Sequence, residues 1–220
     1  LPVIDSFDHP IDRFLDKKRQ EDAITAAPQA DKLTLLRRAY LDLTGLPPTL
    51  DESEAFLADT APGSWERVID QLLASSHYGE RWGRHWLDGA RYADSDGYEQ
   101  DVDRKNAWRY RDYIVNAFNS DKPYDEFITE QIAGDELDET THESRIATGF
   151  LRAGPRVNFR EKDNPERRWD YLDDVIATLG RGVLGMTIQC ARCHDHKFAP
   201  ILQKDYYSMA ASIYGYIQTE

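Results

Sequence analysis

At 220 residues the chain is long enough to bury a substantial core as one large domain or two small ones. Its 40% hydrophobic and 30% charged residues are ordinary for a globular protein. Lys and Arg total 27 against 40 Asp and Glu, and the resulting formal charge of −13 repels phosphate backbones and anionic lipid, which argues against nucleic-acid or membrane-surface binding and favours a basic partner.

In chain order, Leu33, Leu36, Tyr40 and Leu43 recur at spacings of three and four and predict a helix over 31–45, with Gly45 as its stop before Pro47 and Pro48. Thr49 and Glu52 have the form of a capping box that opens a short helix through Phe56 and Leu57. Beyond the Ala61-Pro62-Gly63 break, Ser64 is expected to cap a helix whose buried stripe is Trp65, Val68, Ile69, Leu72 and Leu73. Further helices are expected over 78–92, over 106–118 with Tyr110, Ile114, Ala117 and Phe118 on one face, and from Pro123 through Phe127, Ile128 and Ile132. Residues 152–165 hold glycine, two prolines and scattered charges, which predicts a long loop of a kind that often serves function. Pro165 then opens a helix to about Gly180, and 205–217 close the sequence helically.

No segment alternates with period two, so the fold is expected to be all-α: a single irregular multi-helix domain, read as a module of a larger exported protein. No run of about 18 apolar residues is present, and no membrane span is expected. The opening LPVIDSFDHP lacks the basic and apolar regions of a signal peptide, so export implies a signal already removed.

The chemistry is concentrated in Cys190-Ala191-Arg192-Cys193-His194, a C-x-x-C-H that holds both cysteines of the chain. Two thiols three residues apart, on about one turn, can add to the two vinyl groups of a porphyrin, and the following imidazole then faces the iron. The pattern therefore predicts one covalent haem c held by Cys190 and Cys193, with His194 as proximal iron ligand. A zinc site from Cys190, Cys193, His194 and His196 is the competing reading, but four ligands within seven residues wrap poorly around a tetrahedral ion. A thioredoxin-like pair would require a βαβ context.

For the second axial position His85 is the candidate, in a helix rich in Trp and Arg. Met186 is too close to Cys190 in sequence to reach the far face, and His196 would point away from the iron on a helix. His9, His77 and His142 read as structural or exposed. Arg81, Arg84, Arg91 and Arg192 are candidates to neutralise haem propionates. The acidic run Asp94, Asp96, Glu99, Asp101 and Asp103 is a weak calcium candidate, because Gly97 comes too early for an EF-hand loop.

The strings DKLTLLRRAYLDLTGLPPT, HYGERWGRHWLDGARYADSDGYEQD, NAWRYRDYIVNAFNSDKPYDEFITEQIAGDEL and LGMTIQCARCHDHKFAPILQKDYY together resemble a domain of unknown function found in planctomycete-type cytochrome proteins. The resemblance runs from about Ile11 to Tyr207. It implies a haem site at Cys190–His194, and it marks His85, Arg91, Asp195 and His196 as matching the family's pattern. Where the family more often has Leu, this chain has Met186. The resemblance also implies a larger exported protein with a separate cytochrome module. The expected function is that of a monohaem c-type cytochrome domain in electron transfer, in the periplasm or at the cell surface, with a redox protein or cytochrome module as partner. Two alternatives stand beside it: a peroxidase-like haem enzyme with an open or displaceable distal site, using His85, Arg91 or Tyr92, and a binding module stabilised by zinc or haem.

Overall fold

The computed structural model describes residues 9–98, 101–156, 164 and 166–216. Among these residues there are ten α-helices and no strand: α1 (Pro10–Glu21), α2 (Lys32–Leu43), α3 (Leu50–Ala58), α4 (Ser64–Leu73), α5 (Ser76–Gly89), α6 (Trp108–Asn119), α7 (Tyr124–Ala133), α8 (His142–Ala147), α9 (Glu166–Gly182) and α10 (Gln203–Ile213). Three 3₁₀ turns, Thr148–Arg152, Ile188–Arg192 and Tyr214–Tyr216, join or extend them. The all-α reading holds.

Local chemistry sets most helix starts. Asp31 accepts the N–H of Thr34 at 2.9 Å, and Thr49 with Glu52 forms the reciprocal capping box. Ser75, not Tyr78, opens α5 by accepting from the N–H of His77. Ser64 does not cap α4 but is its first residue; the N-cap is Gly63 at φ +75°, because the turn after Pro62 needs the left-handed conformation that glycine adopts without strain. Helix α5 ends at Gly89 rather than at Tyr92, and Arg91 follows at φ +60°. Neither α1 nor α8 was anticipated. Of the loop expected over 152–165, residues 157–163 and 165 lie outside the described residues; 153–156 form a bend pinned to the preceding hairpin-like segment.

Three apolar clusters form the interior. Leu36, Tyr40, Phe56 and Leu72 bring α2, α3 and α4 together, with Trp65 against Phe56. The main cluster joins α6, α7, α8, the turn Thr148–Arg152 and α9 through Tyr110, Tyr113, Ile114, Phe127, Ala147, Phe150, Val175 and Leu179, and α5 contributes Trp86 and Leu87. The third holds Ile176, Ile188, Ala191, Tyr206 and Ala210, and so fixes the segment after α9 between α9 and α10. Some predicted stripe residues lie outside: Leu33, Leu57, Leu73 and Ile132 are exposed.

Helices α5 and α6 cross closely, because Gly79 and Gly83 sit one turn apart on the contact face. A Cβ at Gly79 would stand 2.4 Å from the carbonyl oxygen of Val115. The same approach lets the N–H of Gly79 donate to Asn119 Oδ1 at 2.8 Å. Buried Gln131 ties three helices together: its Oε1 accepts from Trp86 Nε1 at 2.8 Å and from the Tyr110 hydroxyl at 2.7 Å, and its Nε2 donates to the Phe127 carbonyl.

Candidate functional site

The C-x-x-C-H lies on and just after the 3₁₀ turn Ile188–Arg192. Such a turn has three residues per turn, so residues i and i+3 eclipse. Ile188 and Ala191 share the ridge that faces the core, with Ala191 fully buried. Cys190 lies in the turn and Cys193 is its C-cap, three residues on, and both thiols are free and exposed. The ridge of Ile188 and Ala191 is anchored among Ile176, Tyr206 and Ala210, while both cysteines stay exposed.

His194 is exposed beside them. Its Nδ1 lies 2.7 Å from the carbonyl oxygen of Asp195. A carbonyl only accepts, so Nδ1 carries the proton, and in the neutral ring Nε2 keeps its lone pair, with no partner among the described residues. That is the tautomer of an imidazole able to ligate through Nε2 while its other nitrogen is held by a backbone acceptor.

His196 is occupied differently. Its Nδ1 accepts from the N–H groups of Phe198 and Ala199, at 3.2 and 2.9 Å, so the proton sits on Nε2 and is donated to Thr187 Oγ1 at 3.0 Å. The segment here is a loop, not the helix expected; Nδ1 of His196 holds the loop's own backbone, and Nε2 ties it back to Thr187, the residue before the turn. His196 is a structural residue of the site.

The remaining supports come from α9 and α10. The Arg192 guanidinium lies 3.4 Å from Asp170 and 3.4 Å from Asp173. Burial works to lower its pKa, but the carboxylates of Asp173 and Asp170 outweigh that and hold it above the ordinary value. The Arg192 carbonyl accepts from Gln203 Nε2 and from the Tyr207 hydroxyl. Tyr206 donates to Asp173 Oδ1 at 2.7 Å, and burial followed by that hydrogen bond pushes its phenol up. Asp195 Oδ1 accepts the N–H of Gln203 at 2.8 Å, and Asp205 accepts that of Leu202, so α10 starts on carboxylates. Around this platform Leu184, Met186, Phe198 and Leu202 are exposed, Phe198 at 86%.

The other predicted residues lie elsewhere. His85 is exposed on α5, with its ring edge-on to Trp82 at 5.5 Å. Among the described residues no hydrogen bond, ion pair or ring contact joins it to 186–207. Arg91 is not turned to solvent for a propionate: it is largely buried, paired with Asp174 of α9 and packed over Gly154. Arg81 lies over Gly45, and Arg84 is exposed on α5. In the acidic run, Asp94 accepts from the Tyr92 hydroxyl and Asp96 from Arg104. Glu99 lies outside the described residues. Among the described residues no three His, Cys, Asp or Glu side chains converge as a metal cage. No helix of the structure is long and apolar enough to cross a membrane.

Sequence spacing did not find Thr187, Asp173, Gln203, Tyr206 or Tyr207. Asp173, Gln203, Tyr206 and Tyr207 reach the turn across a sequence gap that no local pattern encodes, and Thr187, next to the turn, meets His196 only once the loop folds back. One family model, described as PSCyt2, a protein of unknown function (DUF1549), matches residues 10–216. No curated protein and no solved structure matches the chain.

Proposed function

The chain belongs to that family of unknown function, and we propose that this member carries one covalent haem c through Cys190 and Cys193 and serves electron transfer. The observation that carries the reading is the pair of free, exposed cysteines three residues apart, next to an imidazole whose Nδ1 is held by a backbone carbonyl and whose Nε2 has no partner among the described residues. The donor set fits: two sulfurs for thioether links and one ring nitrogen for iron. The exposed apolar side chains flanking the turn are what a large flat ligand would cover. When bound, haem c supplies a reversible one-electron iron couple.

The chain's own residues do the positioning. Cys190 and Cys193 hold the group, and His194 presents Nε2 as the proximal ligand. The Asp195 carbonyl fixes the ring's tautomer and orientation. Asp170, Asp173, Gln203 and Tyr207 fix Arg192, and with it the backbone between the two cysteines. His85 is the candidate distal ligand; its exposed ring has no hydrogen bond among the described residues. The acidic chain suits a basic redox partner or cytochrome module, and thioether attachment suits the periplasm or cell exterior.

The test is maturation in a host that attaches haem c, followed by intact mass and an optical spectrum. One haem per chain is expected, lost in Cys190→Ala and Cys193→Ala. A chain that weighs only its amino acids overturns the proposal. Narrow low-spin bands support electron transfer, and high-spin bands that respond to cyanide or peroxide point to the enzyme alternative. Zinc in the absence of a Soret band points to the binding module. His85→Ala turns a low-spin spectrum high-spin if His85 is the distal ligand; an unchanged spectrum removes it.

A further inference from the structure

Residues 92–96 and 104–107, the first turn of α6, α8 and the turn Thr148–Arg152 enclose a cleft of about 620 Å³. That is a volume suited to a small-molecule ligand. Its lining is cationic: Arg104, Lys105, Arg109, Arg145, Arg152 and Arg156 stand against a single carboxylate, Asp96. On a chain of net charge −13, this runs against the overall balance.

Asp96 does not neutralise the set. It accepts from Arg104 Nε at 2.5 Å, and the other nitrogens of Arg104 donate to the carbonyls of Arg152, Ala153 and Gly154. Arg104 is therefore spent on holding the wall, which the Arg156 N–H···O=C Asp96 bond also closes at 2.8 Å. Among the described residues the side chains of Lys105, Arg145, Arg152 and Arg156 have no acidic partner, and Arg109 only lies over the ring of Trp108 at 5.4 Å. Like charges gathered in a concave site raise the local potential and attract anions. A single oxyanion occupies one or two guanidinium forks, so the set takes more than one. Tyr92, Tyr110 and Ile146 add apolar wall for a carbon skeleton.

We infer that this cleft binds a small organic ligand bearing two or more oxyanion groups, whether carboxylate, sulfate or phosphate. No lining residue comes from 186–207, so the site is separate from the C-x-x-C-H turn.

Calorimetry at low salt with citrate, inorganic pyrophosphate and a disulfated disaccharide tests this on the full chain, and the three probes distinguish the oxyanion types. At least one is expected to bind with Kd below about 1 mM, while a neutral disaccharide does not. Arg145→Gln and Arg152→Gln replace exposed side chains and should leave the unliganded melting temperature unchanged. Each should weaken binding about tenfold, and the pair about a hundredfold. Added salt should weaken it further. In the unmutated chain, amide shifts on probe addition should map to 104–109 and 145–152. Absence of binding by all three probes, unaltered binding in the double variant, or shifts centred on 186–207 would each overturn the inference.

Discussion

Gly180→Ala tests whether the Cys-bearing turn is held by a tight backbone crossing. Gly180 is buried in α9, and its carbonyl accepts the N–H of Met186 at 2.8 Å as the chain turns back. A Cβ there would stand 2.8 Å from the Met186 carbonyl oxygen and 3.4 Å from Ile188 Cβ. Two terms oppose each other. Alanine in a helix interior gains about 0.5–1 kcal/mol over glycine, whereas overpacking against a backbone that cannot retreat costs about 1–3 kcal/mol. The clash wins by roughly 1 kcal/mol. Gly182 supplies the internal control: it is in the same helix, with nothing within 4 Å of its Cβ position. Gly182→Ala is expected to be neutral or stabilising by up to about 0.5–1 kcal/mol. Urea unfolding of identically matured variants measures both. Equal stability of the two alanine variants would refute the reasoning, because the crossing at Met186–Ile188 would then not be tight.

Gln131→Leu should cost about 2–4 kcal/mol, since it deprives the Tyr110 hydroxyl of its acceptor in a dry interior. Tyr110→Phe leaves Trp86 still bonded to Gln131 and should cost only about 1 kcal/mol; thermal unfolding that reversed the order would contradict the assigned bonds. Arg104→Met strands Asp96 and three carbonyls and should cost about 2–4 kcal/mol by the same assay, with little change counting against the latch. Burial, then the hydrogen bond its hydroxyl donates to Glu52, pushes Tyr40 up to about 12, and burial raises Tyr110, Tyr113 and Tyr206 further. A phenol raised in the folded state stabilises it fully below about pH 10 and loses that contribution as pH climbs toward the folded value. Tyrosinate absorbance should therefore rise in two phases, exposed rings first and buried rings only as helical circular dichroism is lost; a single phase with the helices intact would refute it.

Helix periodicity was readable because each of α2 to α7 buries one stripe, and Leu36, Tyr40, Ile114 and Phe127 carry that signal directly. Helix α1 escaped notice because none of its residues is buried, so tertiary contact imposes no apolar stripe on it. Cys190, Cys193 and His194 were legible because C-x-x-C-H is a local pattern of five consecutive residues. The tautomer of His194, the structural use of His196 and the Asp173–Tyr206 support were not, since they depend on chain segments brought together only by folding. Arg91 shows the converse. Its charge suggested a propionate partner, but its left-handed backbone turns it inward to Asp174. The cationic cleft was invisible for the same reason: Arg104, Arg145 and Arg152 are far apart in sequence and meet only in the fold.

Leu36, Tyr40, Phe56 and Leu72 form a cluster of their own, and every member comes from α2, α3 or α4. Protection from hydrogen exchange should consequently divide into at least two tiers. The 32–73 segment can open as a sub-global unit at lower free energy than the rest, leaving the segment that bears the cysteines closed.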